Sequence, residues 1–480
     1  MKYTPVIGLE IHAELNTNTK IYCSCENKFG SEVNTNCCPI CTGMPGTLPT
    51  LNKKVVEYAV KMGLATNCKI NNVTKQDRKN YFYPDLPKAY QISQFDIPLC
   101  EHGYVEIRVN GEKKKIGITR IHIEEDAGKL LHDDRFSGSL VDFNRCGVPL
   151  IEIVSEPDMR SPEEAKAYLE AIKSILQYLD ISDCKMQEGS IRCDVNVSVM
   201  KEGSNEFGKR VEMKNVNTFS GAVRGIEYEI QRQIEILENG GEVEQETRRW
   251  DDAKGVSVML RSKEDAHDYR YFPEPDLARI ELTDSDIEKL HAEIPELPGV
   301  KFDRFTTKYN LTEYEADLLV NNIPRADFFE KAIEASNGNI EPKIICNWIL
   351  GDVSRLLNSL NIEIDESKLT PQNLVNMIKL INDGTISNTA AKTVIEEIFE
   401  SGKDAEVIVK EKGLAQVSDT SALLSIVEEV LKNNEKSVND YKRGKTNAMG
   451  FLIGQCMRAS KGQANPQVIS ALLKEKLDNL

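Results

Sequence analysis

Five cysteines crowd one short polar stretch, IYCSCENKFGSEVNTNCCPICTG (residues 21–43): Cys23, Cys25, Cys37, Cys38 and Cys41. Cys23-x-Cys25 and Cys38-x-x-Cys41 form two short chelating pairs. Four thiolates closing a tetrahedron are what a structural Zn2+ takes. Sequence neighbours rarely ligate one ion together, and the Cys-Pro-Ile-Cys turn favours Cys38 with Cys41. The predicted ligands are therefore Cys23, Cys25, Cys38 and Cys41, with Cys37 spare; the competing reading is chance clustering. Such a site pins a loop and supplies no chemistry by itself.

Carboxylates recur on segments that read as strands. GLEIHAEL sets Glu10 and His12 two residues apart, on one face of a strand. HIEEDAGK offers Glu124, Glu125 and Asp126; VPLIEIVSEP offers Glu152 and Glu156; IRCDVNVS and VEMKNVN offer Asp194 and Glu212. Oxygen-rich sets of this kind suit Mg2+, which binds through a few carboxylates and substrate phosphates. Singly, each acid reads equally well as solvated surface. Arg78, Lys79, Lys88, Lys129, Arg145, Arg192 and Lys214 lie in or near the same segments. Cations so placed either neutralise a transferring phosphoryl group or are ordinary surface charge. DRKNYFYPDLPKAYQISQ sets aromatics beside cations, which suits stacking on a base or an RNA end, or else a proline-stiffened loop packing its own tyrosines. YKRGKTN is half a phosphate-binding loop, but Asn439 stands where its first glycine belongs, and no G-x-G-x-x-G occurs. Any ATP site is of another kind. Lys442, Arg443, Lys445, Arg458 and Lys461 stand without an acid between residues 441 and 466. They read as a contact for a phosphate backbone or as a solvated face.

These groups need elements to hold them. PVIGLEIHAEL, ITRIHIEEDAG, RVEMKNVNTF and GSIRCDVNVSV read as strands. In the last, Ile191, Cys193, Val195, Val197 and Val199 face one way and Arg192, Asp194, Asn196 and Ser198 the other. SPEEAKAYLEAIKSILQYL opens a helix with Ser161 as cap, Pro162 at its first position and Glu164 in the capping-box place. A second helix, SGAVRGIEYEIQRQIEILENGG, stops at Gly240 and Gly241. The pattern predicts an α+β domain with a mainly antiparallel sheet. Pro295, Pro298 and Gly299 then break the chain, and amphipathic helices follow, with a softer break near Gly402. The expected division is a first domain over 1–293, an all-α helical domain over 294–406 and a small helical tail domain over 407–480.

The 480 residues are 40% hydrophobic and 28% charged, as in a soluble globular protein. No run of roughly 18 apolar residues offers a membrane span. Glu10, His12 and Glu14 stand where a signal peptide would be apolar, so a cytoplasmic location is expected. There, the twelve cysteines stay reduced, and those outside 23–41 read as small buried hydrophobes. The net charge of −16 argues against a nucleic-acid coat protein and leaves room for RNA binding through a local basic face.

VIGLEIHAEL, the C-x-C…C-P-x-C cluster, RKNYFYPDLPKAYQISQ, IHIEEDAGK, VDFNRCGVPLIEIVSEPD, GSIRCDVNVSV, VEMKNVNTF, YRYFPEPDL and the tail GKTNAMGFLIGQCMRASKGQANP together resemble one family over essentially the whole chain. It is the B-subunit family of the tRNA-dependent aspartyl/glutamyl-tRNA(Asn/Gln) amidotransferases. The resemblance implies a heterotrimer. An amidase (glutaminase) partner frees ammonia from glutamine, and a small third partner braces the assembly. The B-type chain binds mischarged Glu-tRNA(Gln) or Asp-tRNA(Asn) and, with ATP and Mg2+, phosphorylates the side-chain carboxylate for displacement by ammonia, as a carbon–nitrogen ligase. It also implies a cradle related to the glutamine synthetase core, followed by helical and tail domains that meet the tRNA. Metal roles carry over to Glu10, His12 and Glu125, then to Glu124, Glu152, Asp194 and Glu212. Phosphate clamps would be Arg145, Arg192 and Lys214. Lys79, Tyr81, Tyr83, Lys88 and Tyr90 would surround the aminoacylated end, and the basic run from Lys442 to Lys461 the tRNA body. Two departures stand out: Ala89 replaces the glycine of PDLPKGYQ, and Cys37 is an extra thiol. The rival functions are a tRNA-binding scaffold whose chemistry lies in partner chains, and a free-standing ligase for a small amine.

Overall fold

The computed structural model describes residues 3–132, 138–262, 268–416, 420–443, 445, 447–460 and 464–478. They form two compact units, Met1–Gly299 and Val300–Leu480.

The first unit is built on strands β1 (Tyr3–Glu14), β2 (Lys69–Ile70), β3 (Val73–Thr74), β4 (Asp77–Asn80), β5 (Tyr90–Ser93), β6 (Cys100–Val109), β7 (Glu112–Glu125) and β8 (Lys129–His132). The later strands are β9 (Ser139–Asp142), β10 (Pro149–Ser155), β11 (Ile191–Lys201), β12 (Val211–Val216), β13 (Glu246–Asp251), β14 (Val256–Ser262), β15 (Phe272–Pro273) and β16 (Ile280–Glu281). Nine of them make one sheet in the order β14-β13-β12-β11-β1-β10-β7-β6-β2. Its described pairings are antiparallel except β12 with β13. The expected mixed fold with a large antiparallel-rich sheet is present.

Alternation decides which side of this sheet is core. On β1, Ile7, Leu9, Ile11 and Ala13 are fully buried, and on β11 so are Ile191, Cys193, Val195 and Val197. Three helices cover that apolar face: α1 (Lys53–Ala65), α2 (Pro162–Tyr178) and α3 (Phe219–Glu238). Each starts on a side-chain cap: Asn52, Ser161 and Thr218 accept from the backbone N–H groups of Lys54, Glu164 and Gly221. Opposite residues of paired strands share a face, so the other side carries the polar row Arg192–His12–Glu152–His122 across β11, β1, β10 and β7.

A three-stranded sheet, β15-β4-β5, packs its β5 against β7. Arg78 on β4 holds the strap that carries β15. It donates through Nε and Nη2 to the buried Glu274 at 2.6 and 2.8 Å, and its guanidinium lies over the Tyr90 ring. Arg78 is thus spent on structure.

The described residues of the second unit are helical. Helix Glu313–Val320 opens on a capping box between Thr312 and Glu315. Helix Ala405–Lys412 spans the expected 406/407 division and buries Ile408 and Val409 among the helices before it. Beyond it, Leu423, Val427, Leu452, Cys456, Ile469 and Leu473 make a separate apolar cluster. No helix among the described residues is long and apolar enough to cross a membrane.

Candidate functional site

Three sequence-predicted residues converge on the polar face of the large sheet. His12 Nε2 lies 3.5 Å from Glu124 and 3.3 Å from Glu152. One ligand atom from each of the three lies within 4.8 Å of the other two, close enough to share an ion. His122, absent from the sequence-based set, closes the group from the far side: its Nε2 is 3.5 Å from Glu124 and 3.6 Å from Glu152. Its Nδ1 is buried without a partner. Burial disfavours charge here, but the histidine–carboxylate contacts outweigh it. The Glu152 hydrogen bond and the two carboxylates push His12 up to about 9. Glu124 and Glu152 are held below the usual carboxylate range by the imidazoles, against the cost of their own burial. Two carboxylate oxygens, with the His12 imidazole nitrogen once an ion displaces its proton, fit Mg2+ or Mn2+ better than a soft metal.

The remaining acids form a second group, one register step along. Glu10 stands opposite Asp194 and accepts from Asn196 Nδ2 at 2.9 Å. Burial, then the nearby Glu152 charge, raises its pKa. Lys214 bridges Asp194 at 2.7 Å and Glu212 at 3.0 Å, and Thr247 donates to Glu212 at 2.8 Å. Arg249 shares this face beside Lys214 and is exposed. Arg192 reaches Asp126 at 2.5 Å, with its Nε buried and unpartnered. Arg145 donates to the carbonyls of Ala127 and Gly128 at 3.0 and 2.7 Å. Both arginines are therefore already engaged around Asp126.

Glu125 is elsewhere. It follows Glu124 on β7, and successive strand side chains point to opposite faces. It pairs with Lys88 and accepts from the Ile92 N–H at 2.9 Å. Lys88 lies over the Tyr90 ring at 5.4 Å. Lys79 instead faces the first cluster. Burial works against its charge, but the nearby Glu124 carboxylate raises its pKa, and its ammonium lies 4.8 Å from the Tyr269 ring. Tyr81 meets Tyr269 edge-on, and Tyr269 meets Tyr271. Tyr269 and Tyr271 lie on the strap of β15; the sequence offered them only as part of the motif YRYFPEPDL, with no role attached. Tyr83 is 54% exposed.

Cys23, Cys25, Cys38 and Cys41 place their sulfurs within 4.8 Å of one another and could hold a metal ion. Cys37 turns away, its thiol 3.5 Å from the Asn34 carbonyl. Cys41 accepts from the Cys38 N–H at 3.1 Å, and the buried Lys20 ammonium lies 3.8 Å from its sulfur. The Cys23 thiol first, then these two groups, holds Cys41 below the usual thiol range against the cost of burial.

In the second unit, Lys442 and Arg443 end helix Glu435–Lys442, and Arg458 is exposed on helix Asn447–Ala459. Lys445 pairs with Asp440 at 3.0 Å. Lys461 lies outside the described residues.

Residues 5–288 match the family described as the GatB/GatE catalytic domain, and residues 327–477 that described as the GatB domain. The chain is 60% identical to the B-subunit of the aspartyl/glutamyl-tRNA(Asn/Gln) amidotransferase from Caldicellulosiruptor bescii, with 100% of both chains covered. It is 59% identical to the B-subunit from Thermoanaerobacter pseudethanolicus, over 99% of this chain and 100% of that one. It is 53% identical to that of Clostridium botulinum (strain Okra), over 100% of both.

Proposed function

Because this chain belongs to the B-subunit family of the aspartyl/glutamyl-tRNA(Asn/Gln) amidotransferases, we propose that it activates the side-chain carboxylate of Glu-tRNA(Gln) or Asp-tRNA(Asn) for amidation. Its partners are an amidase chain that supplies ammonia from glutamine and a small bracing chain, in the cytoplasm. One observation supports this most: a carboxylate pair held ionised by two histidines, on a sheet face that also carries Arg192 and Lys214, with Lys79 facing it from β4 of the neighbouring sheet. Buried acids kept charged beside further cations, in a cluster that can share an ion, favour chemistry over a bare scaffold.

ATP and Mg2+, when bound, supply the phosphoryl group that turns the carboxylate into an electrophile. His12, Glu124 and Glu152 would hold the ion, with Glu10, Asp194 and Glu212 beside it. His122 orients Glu124 and Glu152 from behind, as outer partners of metal ligands do. Lys79, backed by Tyr81 and Tyr269, faces the substrate carboxylate, and Lys214 and Arg192 are placed to meet phosphate oxygens. Arg192 would exchange Asp126 for that anion; Arg145 braces the turn. Tyr83, Tyr90 and Lys88 border the path to Glu125, where the incoming amine would lose its proton. Zn2+ fits the four cysteines as a structural ion. The sheet unit reads as a cradle related to glutamine synthetase, over 1–293, with a helical domain to 406 and a tail that meets the tRNA body through Lys442, Arg443, Lys445, Arg458 and Lys461.

In the assembled complex, Glu152→Gln should lower tRNA-dependent ATP hydrolysis and amidation together by about 100-fold, while glutamine hydrolysis persists. Undiminished tRNA-dependent ATP hydrolysis would leave only the scaffold. Amidation of a small amine by the chain alone would favour the free-standing ligase.

A further inference from the structure

The cysteine cluster and the Glu125 carboxylate border the same cavity. It encloses about 220 Å³ between Cys23, Cys41 and Gly43 on one side and Lys88, Tyr90 and Glu125 on the other. The two sides meet at Gly43, two residues after the last cysteine. Gly43 has φ +68°, and a Cβ built on it would overlap Lys88 Cγ and come within 3.3 Å of the Lys88 Cα and N. The backbone there can approach so closely only because the residue is glycine. The turn that carries it is fixed to the cysteines: the Gly43 N–H donates to the Ile40 carbonyl at 3.0 Å, and the Thr42 N–H and hydroxyl both donate to the Cys38 carbonyl. Lys88 in turn is 12% exposed and ion-paired with Glu125. The far wall is joined as well, since the Gly147 N–H donates to the Asp126 carbonyl at 3.0 Å and a Cβ on Gly147 would touch Cys41 Cβ at 3.4 Å.

We propose that the four-cysteine cluster positions the Lys88–Glu125 pair, acting through the backbone of Gly43. With metal bound, the turn Cys38–Gly43 is rigid and lays Lys88 along one path to Glu125. Without it, the turn relaxes and the ammonium leaves the carboxylate. The inference rests on the reading that these cysteines hold zinc, and it is independent of the amidation chemistry.

The test uses the full-length chain and an amine-acylating ester, with lysines mapped by peptide mass. Zinc content is measured first. In the zinc-loaded chain, Lys88 should acylate at least tenfold more slowly than Lys166, whose side chain is 52% exposed. Stripping the metal with chelator and reductant should raise the Lys88 rate about tenfold. Gly43→Ala should do the same with zinc still bound. Lys75, 19% exposed and paired with Asp77 on the neighbouring sheet, should not change in either case and reports any general unfolding. An unchanged Lys88 rate in the metal-free chain, or in a folded Gly43→Ala chain, overturns the proposal. If Gly43→Ala fails to fold, chelation of the parent chain decides alone. A chain that never contains zinc sinks the zinc reading, and Gly43→Ala then decides whether the turn positions Lys88 unaided.

Discussion

Glu14 follows His12 by one alternation on β1 and has no role in the proposed chemistry. Burial, then the charge of Asp126, pushes its carboxyl up to about 7 against the pull of Arg192 and Arg145. A folded-state pKa above the ordinary value of 4.5 means that the folded chain holds this proton more tightly than the unfolded chain does. Its stabilising contribution is therefore complete below about pH 4.5 and is lost as pH rises through about 7. Glu14→Gln, neutral throughout, should be more stable than the parent by about 3 kcal/mol at pH 8 and nearly unchanged at pH 4. Urea unfolding at the two pH values checks this; equal stability at pH 8 refutes it. Ala89 makes a second residue-level case. Its φ of +58° lies in the left-handed region that favours glycine. Ala89→Gly should raise stability by about 1 kcal/mol, because an alanine pays a steric cost in the left-handed region, and a thermal melt reads the gain.

Elements explain which of these residues sequence could find. The alternation in GSIRCDVNVSV is what β11 buries, because its period of two is a direct consequence of strand geometry. The same period, applied to HIEED, separates Glu125 from Glu124 and puts His122 with Glu124, a signal that was present and unread. Tyr269 and Tyr271 left no such signal. They reach the site through the pairing of Phe272 with Arg78, which no local pattern announces. Nor did sequence show what ties the sheet edge to α3. Glu229 on that helix, fully buried, accepts from Arg232 at 2.7 and 2.9 Å and from Gln233 at 2.8 Å. Arg232 and Arg248 also meet Glu246 on β13, each at 2.8 Å. Two acids thus balance two arginines behind the last strands. Glu229→Ala leaves that balance broken in a buried place and should cost about 3–5 kcal/mol. A loss below about 1 kcal/mol in urea unfolding would show the network to be dispensable.

At the scale of the molecule, the net charge of −16 makes a general attraction to RNA implausible, so tRNA affinity must come from local cations. The cluster around Leu423, Leu452 and Leu473 lies beyond helix Ala405–Lys412, whose removal would uncover the helices Pro371–Asn382 and Asn388–Ser401 that it packs against. A cut after residue 416 spares that helix. In the complex, deleting 417–480 should weaken tRNA binding at least tenfold and leave glutamine hydrolysis intact; unchanged tRNA affinity would refute a role for the tail. The order of the large sheet has one more consequence, in time rather than space. β1 is the first strand made, yet its two neighbours are residues 149–155 and 191–201. A ribosome adding about 5–20 residues per second leaves that strand without its second partner for roughly ten to forty seconds. The segment that carries Glu10 and His12 thus spends its first moments with one apolar face uncovered, a period in which the nascent chain is exposed to wrong association.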